Sequence, residues 1–108
     1  MTQVITQETL TSFMSTGMTT SSPSFSLDAG IYEFMASGSF NGHSLSLDVL
    51  SPDGSTFVPV ANEYGGVSTL SSAGSWTGKL LAGQYQLTAS GTLTSVAAAV
   101  VRVDRTQP

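Results

Sequence analysis

The 108-residue chain contains 40% hydrophobic but only 9% charged residues, and it carries a net charge of −4 with no cysteine. This length leaves room for one domain with one core, which buries roughly 60% of the surface that the unfolded chain exposes. The lack of cysteine excludes disulfides and thiolate chemistry.

Charge and hydropathy also argue against two classes of partner. The three cationic side chains, Lys79, Arg102 and Arg105, form no cluster that could displace counterions from nucleic-acid phosphates or attach the chain to an acidic membrane surface. No run of about 20 apolar residues predicts a membrane span. The first residues lack the basic and apolar regions of a signal peptide, so we expect no secretion by that route.

Residues 1–24 are rich in serine and threonine and poor in glycine. The β-branched threonines disfavour a helix over 8–14, so an extended arm or a first strand is predicted, with strand segments at 3–6 and 11–14. Six sizeable apolar residues are spread along this arm and are predicted to contact a neighbouring protein: Val4, Ile5, Leu10, Phe13, Met14 and Met18. A disordered tail is the alternative.

Two later stretches, 27–40 and 80–93, share one pattern with equivalent positions 53 residues apart. The pattern is Leu-x-Ala-Gly-x-Tyr-x-apolar-x-Ala-Ser-Gly-(Ser/Thr)-apolar, which indicates one supersecondary unit used twice. Each leucine is predicted to close a strand, each Ala-Gly to form a tight turn with glycine at positive φ, and each tyrosine to open the next strand. Tyr32 and Tyr85 resemble the tyrosine corner of immunoglobulin-like sandwiches, in which a buried ring bonds its hydroxyl to upstream backbone.

Further strands are predicted along the chain. Alternation is clearest over 44–50, and the return strand 56–60 contains Pro59, which predicts a sheet edge. Residues 61–75 are the longest irregular stretch. The last strand, 96–103, is predicted to turn Ala98 and Val100 outward, because the reverse phase would bury Arg102, and to form an adhesive sheet edge.

These seven to nine short strands without a convincing helix predict an all-β fold. We expect an antiparallel β-sandwich over 25–108, of jelly-roll or immunoglobulin-like topology, built from two related Greek-key halves and preceded by the N-terminal arm at 1–24.

No catalytic, cofactor or metal site is predicted, and an enzyme is not expected. His43 is the single histidine and has no cysteine to complete a metal site, and no Gly-x-Ser-x-Gly elbow presents a serine nucleophile. The carboxylates are placed mostly on turns or outward strand faces. Tyr64 and Trp76 could together form a sugar-stacking platform, although a lone tryptophan at a strand start is more often a core residue.

The chain resembles the capsid decoration (cement) proteins of tailed bacteriophages in being a small, cysteine-free, Ser/Thr/Gly-rich β domain with an apolar-studded arm. The resemblance implies a virion structural protein that is made in the host cytoplasm, sits on the capsid surface, and binds and stabilises the major capsid protein. It also implies a homo-oligomer, with a trimer preferred to a dimer. A carbohydrate- or cell-surface-binding module, such as a tail or head-fibre domain, is the alternative.

Overall fold

The computed structural model describes residues 10–62 and 64–103, which form two antiparallel β-sheets and contain no helix. This all-β architecture is compatible with a β-sandwich. The strands are β1 (Leu10–Met18), β2 (Phe25–Leu27), β3 (Gly30–Ser39), β4 (Leu45–Leu50), β5 (Phe57–Pro59), β6 (Thr69–Leu70), β7 (Gly74–Leu80), β8 (Gly83–Ala89) and β9 (Ser95–Arg102). Sheet A has the order β1-β9-β3-β7, and sheet B has the order β2-β8-β4-β5, with β6 also paired to β4.

Both sheets contribute to one hydrophobic core. The period-two alternation of apolar residues places one face of each strand inward. Tyr32, Phe34 and Ala36 of β3 are buried as predicted, and they share the core with Leu45 and Leu47 of β4. Burial of each large apolar side chain stabilises the fold by about 1.5–3 kcal/mol, so this cluster supplies most of the driving force.

The two tyrosine corners predicted from the repeat are confirmed. The Tyr32 hydroxyl donates to the carbonyl oxygen of Asp28 at 2.7 Å, and the Tyr85 hydroxyl donates to that of Leu81 at 2.6 Å. Each ring is buried, with an exposed fraction of 2%. The two tyrosines therefore occupy equivalent places, one in sheet A and one in sheet B.

The predicted role of the corner glycines is wrong. Neither Gly30 nor Gly83 has a positive φ. Each corner carries the chain from one sheet to the other instead of reversing it within a sheet, and each glycine simply begins the next strand. Gly30 lies opposite Leu80, and Gly83 lies opposite Leu27, so each corner glycine pairs with the strand-ending leucine of the other corner.

The offset of 53 residues extends well beyond the two corners. A shift by 53 residues maps β2 to the end of β7, β3 to β8, β4 to β9, and β1 to the segment that contains β6. Under this shift the order β1-β9-β3-β7 of sheet A becomes β6-β4-β8-β2, which is the order of sheet B with β5 left out. Each sheet is thus a counterpart of the other, with matching positions 53 residues apart.

The predicted phase of the last strand is also wrong. Ala98 and Val100 are buried in the core, with exposed fractions of 4% and 0%, whereas Ala97 is exposed. This phase does not require full burial of Arg102, because Arg102 is the last residue of β9 and is only partly buried there. In addition, β9 is no sheet edge, because it lies between β1 and β3.

The N-terminal apolar residues have different environments. Phe13 stacks on Phe25 with ring centroids 4.2 Å apart, and Met18 is buried in the core, so these two side chains pack within the chain. Met14 is 60% exposed. The predictions for Val4 and Ile5, and for the side chain of Leu10, fall outside what the structure describes.

We expect Tyr32→Phe and Tyr85→Phe each to lower the free energy of unfolding by about 1 kcal/mol, or by up to ~3 kcal/mol if the freed carbonyl stays buried without a partner. Urea denaturation measures this change. Tyr64→Phe is the matched control, because Tyr64 is 89% exposed, and it should have no effect. Negligible losses at both corners would show that the two hydroxyl bonds do not stabilise the fold.

Candidate functional site

His43 packs against the second copy of the repeat. A side-chain carbon at Gly91 would collide with the imidazole ring of His43, so the glycine makes room for that ring. Within residues 10–62 and 64–103, no three histidine, cysteine or carboxylate side chains come together as a metal site. The position of His43 is explained by packing between the segments that precede β4 and β9.

Asp53 organises the turn between β4 and β5. Its carboxylate accepts hydrogen bonds from the Ser51 hydroxyl at 2.7 Å, the Ser55 amide at 2.9 Å, and the Thr56 amide and hydroxyl at 3.0 and 2.9 Å. These donors, led by Ser51, hold the pKa of Asp53 well below its ordinary value. This confirms Asp53 as a turn residue.

Asp48 is a buried acid on the outer side of sheet B. It is 3% exposed and accepts a hydrogen bond from the Ser46 hydroxyl at 2.6 Å. Burial raises the pKa of the Asp48 carboxyl, while the Ser46 and Thr88 hydroxyls oppose this effect. The Thr88 oxygen lies near enough to act on that charge, yet among the described residues it makes no full hydrogen bond.

Tyr64 and Trp76 do not form a two-ring platform. Trp76 is 7% exposed, and its indole nitrogen donates to the carbonyl oxygen of Gly66 at 2.8 Å. Tyr64 lies alone at the tip of a turn held by Asn62, whose side-chain oxygen accepts from the amides of Tyr64 at 3.0 Å and Gly66 at 2.8 Å. The buried ring of Trp76 has no free face to offer a sugar.

The outer face of sheet A carries exposed apolar side chains on adjacent strands. We call it face A and define it by six residues: Met14, Ile31, Met35, Ala97, Ala99 and Val101. Three of them, Met14, Ile31 and Met35, belong to the exposed large apolar residues of the described chain. Val101 is buried by its surroundings but lies outside the core cluster.

The centre of face A is a row of three side chains across three strands. Ala99 of β9 lies opposite Met14 of β1 on one side and opposite Met35 of β3 on the other. Because alanine is short and methionine is long, the row encloses a shallow hollow of about 270 Å³ whose lining includes Ala97 and Ala99. The arrangement can hold an apolar side chain without any catalytic group.

The positions that correspond to face A in sheet B are mostly polar. The 53-residue offset maps Ile31, Met35 and the three β9 residues of face A onto polar residues in or beside sheet B, namely Gln84, Thr88, Ser44, Ser46 and Asp48, whereas it maps Met14 onto Val67, which is 54% exposed. The two sheets have the same strand order, so a sheet of this order can form with polar residues at these positions, where Ser46 and Asp48 are buried. The hydrophobicity of face A therefore calls for an explanation other than folding.

Sequence reasoning found only one residue of face A, Met14. The repeat contained the missing signal, because the alternation of β3 already put Met35 opposite to the inward Phe34. The replacement of Met35 by Thr88 at the matching position of the repeat indicates this face from the sequence.

Comparisons with protein-family models, with curated proteins and with solved structures found no match. The described part of the chain contains no helix with the length and hydrophobicity that a membrane crossing requires.

We expect Asp48→Asn to raise the free energy of unfolding at pH 7, because the folded wild type must keep a buried carboxylate charged. The new amide can donate to the Thr88 oxygen and still accept from Ser46. Since the folded pKa of Asp48 lies above its ordinary value of 3.8, this group stabilises wild type most below pH 3.8 and less as pH rises through the folded pKa. The advantage of Asp48→Asn should therefore shrink on acidification.

Urea denaturation at pH 7 and at acidic pH measures the effect. Asp53→Asn is the control of opposite sign, because its lowered pKa makes the charged form stabilising, and it should destabilise the protein at pH 7. An Asp48→Asn variant that is less stable than wild type at pH 7 would contradict the prediction.

Proposed function

We propose that this protein is a non-enzymatic structural component of a larger assembly, a decoration protein that binds and stabilises a phage capsid. The observation that carries the proposal is face A, an apolar surface whose counterpart positions on sheet B are mostly polar. A free chain leaves Met14, Ile31 and Met35 in water, and such a surface serves contact between proteins better than it serves solubility.

We further propose that the two sheets form a jelly roll. The support is the strand order. If β5 and β6 are counted as one interrupted fifth strand beside β4, and β7, β8 and β9 as strands 6, 7 and 8, the sheets have the orders 1-8-3-6 and 2-7-4-5. The 53-residue offset divides these eight strands into two halves of four, as two Greek keys require. Jelly rolls are common in viral capsid and lectin domains, so the topology suits both candidate functions.

The glycan-binding alternative has less support. It rests on Tyr64, one ring on a turn held by Asn62, since Trp76 is buried. A single aromatic face can stack on a sugar but supplies little affinity by itself.

The test is co-sedimentation of the purified chain with empty shells of the major capsid protein encoded in the same genome. We expect saturable binding and a higher temperature of shell disruption. Ile31→Glu should weaken binding at least about tenfold, because it places a charge on face A. Gln84→Glu, the same change at the matching position of sheet B, should leave binding unchanged.

A second variant addresses the predicted arm. Deletion of residues 2–9 removes Val4 and Ile5 but keeps all of β1, whereas a longer deletion would remove β1 and Met18 from the fold. Reduced shell binding by this variant would assign the arm a part in docking. An absence of wild-type binding at tens of micromolar, or an enzymatic activity lost in His43→Ala, would refute the proposed function.

A further inference from the structure

We propose that the occupant of face A is a second copy of this chain, packed sheet to sheet about a two-fold axis. This inference rests on the proposed function and deepens it, because it names the partner that face A contacts. Each pair would then attach to a capsid shell at two points, so a charge on face A would weaken shell binding by separating the two copies.

The shape of face A is complementary to itself. The hollow over Ala97 and Ala99 lies directly beside Met14 and Met35, so a projection and a depression occur on the same surface. In a two-fold contact, residue i of one copy meets residue j of the other and the reverse, which requires both features on one face. Methionine has three rotatable bonds and adapts readily to an irregular hollow.

The charges on this side of sheet A are also complementary to themselves. Glu33 lies on the same outward side of β3 as Met35, and Lys79 of β7 lies opposite Ile31. These two are the charged residues among the described positions on that side, and they have opposite signs. A copy rotated by a two-fold axis presents a lysine and a glutamate in return, whereas a face of one sign would repel its copy.

The size of the sheet fits a modest interface. Four strands at a spacing of about 4.8 Å, each with about eight residues at about 3.4 Å, present a projected area of roughly 500 Å². Two such faces bury about 1,000 Å² in total, which is near the lower limit for a specific interface. We therefore expect a dimer that dissociates on dilution in the micromolar range.

Sedimentation equilibrium of the full chain from about 1 to 200 μM tests the inference. The mass should move from the 11.1 kDa of one chain toward twice that value. Met35→Glu should raise the dissociation constant at least about tenfold, because it buries an unpaired charge at the centre of the contact. Met35→Leu should change it little, and Gln84→Glu, on sheet B, should not change it. Circular dichroism would verify that each variant folds.

The outcomes separate the two proposals. A wild-type chain that stays monomeric to 200 μM, forms a trimer, or forms a dimer insensitive to Met35→Glu would overturn the two-fold contact. Shell binding by such a chain would leave the proposed function standing, with the shell protein as occupant of face A. A dimer that is sensitive to Met35→Glu but binds no shells would support the two-fold contact and refute the proposed capsid function.

Discussion

The two tyrosine corners determine how the rest of the chain is arranged. At each corner the chain leaves one sheet and enters the other within two residues, and a tyrosine hydroxyl bound to an upstream carbonyl holds that change of direction. The two corners lie side by side, and the same antiparallel register runs through both of them. This register pairs Phe25 with Tyr85 in sheet B and Phe34 with Trp76 in sheet A. With this register set, a slip by one residue would turn the inward face of both sheets outward at once.

The same arrangement provides an internal reference for function. Most proteins offer no way to decide whether an exposed apolar residue serves folding or contact. Here each sheet is the counterpart of the other, and where sheet A has Met35 and Ala99, sheet B has Thr88 and Ser46. The polar version is compatible with the fold, and this supports our proposal that face A contacts another protein.

The sequence was informative where the signal was local or repeated. The 53-residue repeat and the period-two alternation predicted two equivalent corners and the inward set of β3, and the likeness of Tyr32 and Tyr85 to a tyrosine corner predicted both hydroxyl bonds. Prediction failed where the answer depended on distant neighbours. The phase of β9 depended on how deeply its last residue is buried. Trp76 is covered by a loop ten residues earlier, which no local pattern indicates.

Oxidation of the native methionines tests whether face A is covered in the assembled protein. Hydroxyl-radical footprinting would compare the dilute chain with the fully assembled protein. In the dilute chain, Met14 and Met35 should oxidise readily and Met18 slowly, because Met18 is 6% exposed. The account predicts strong protection of Met14 and Met35 on assembly with no change at Met18, while Met14 and Met35 that stay equally reactive in the assembled protein would contradict it.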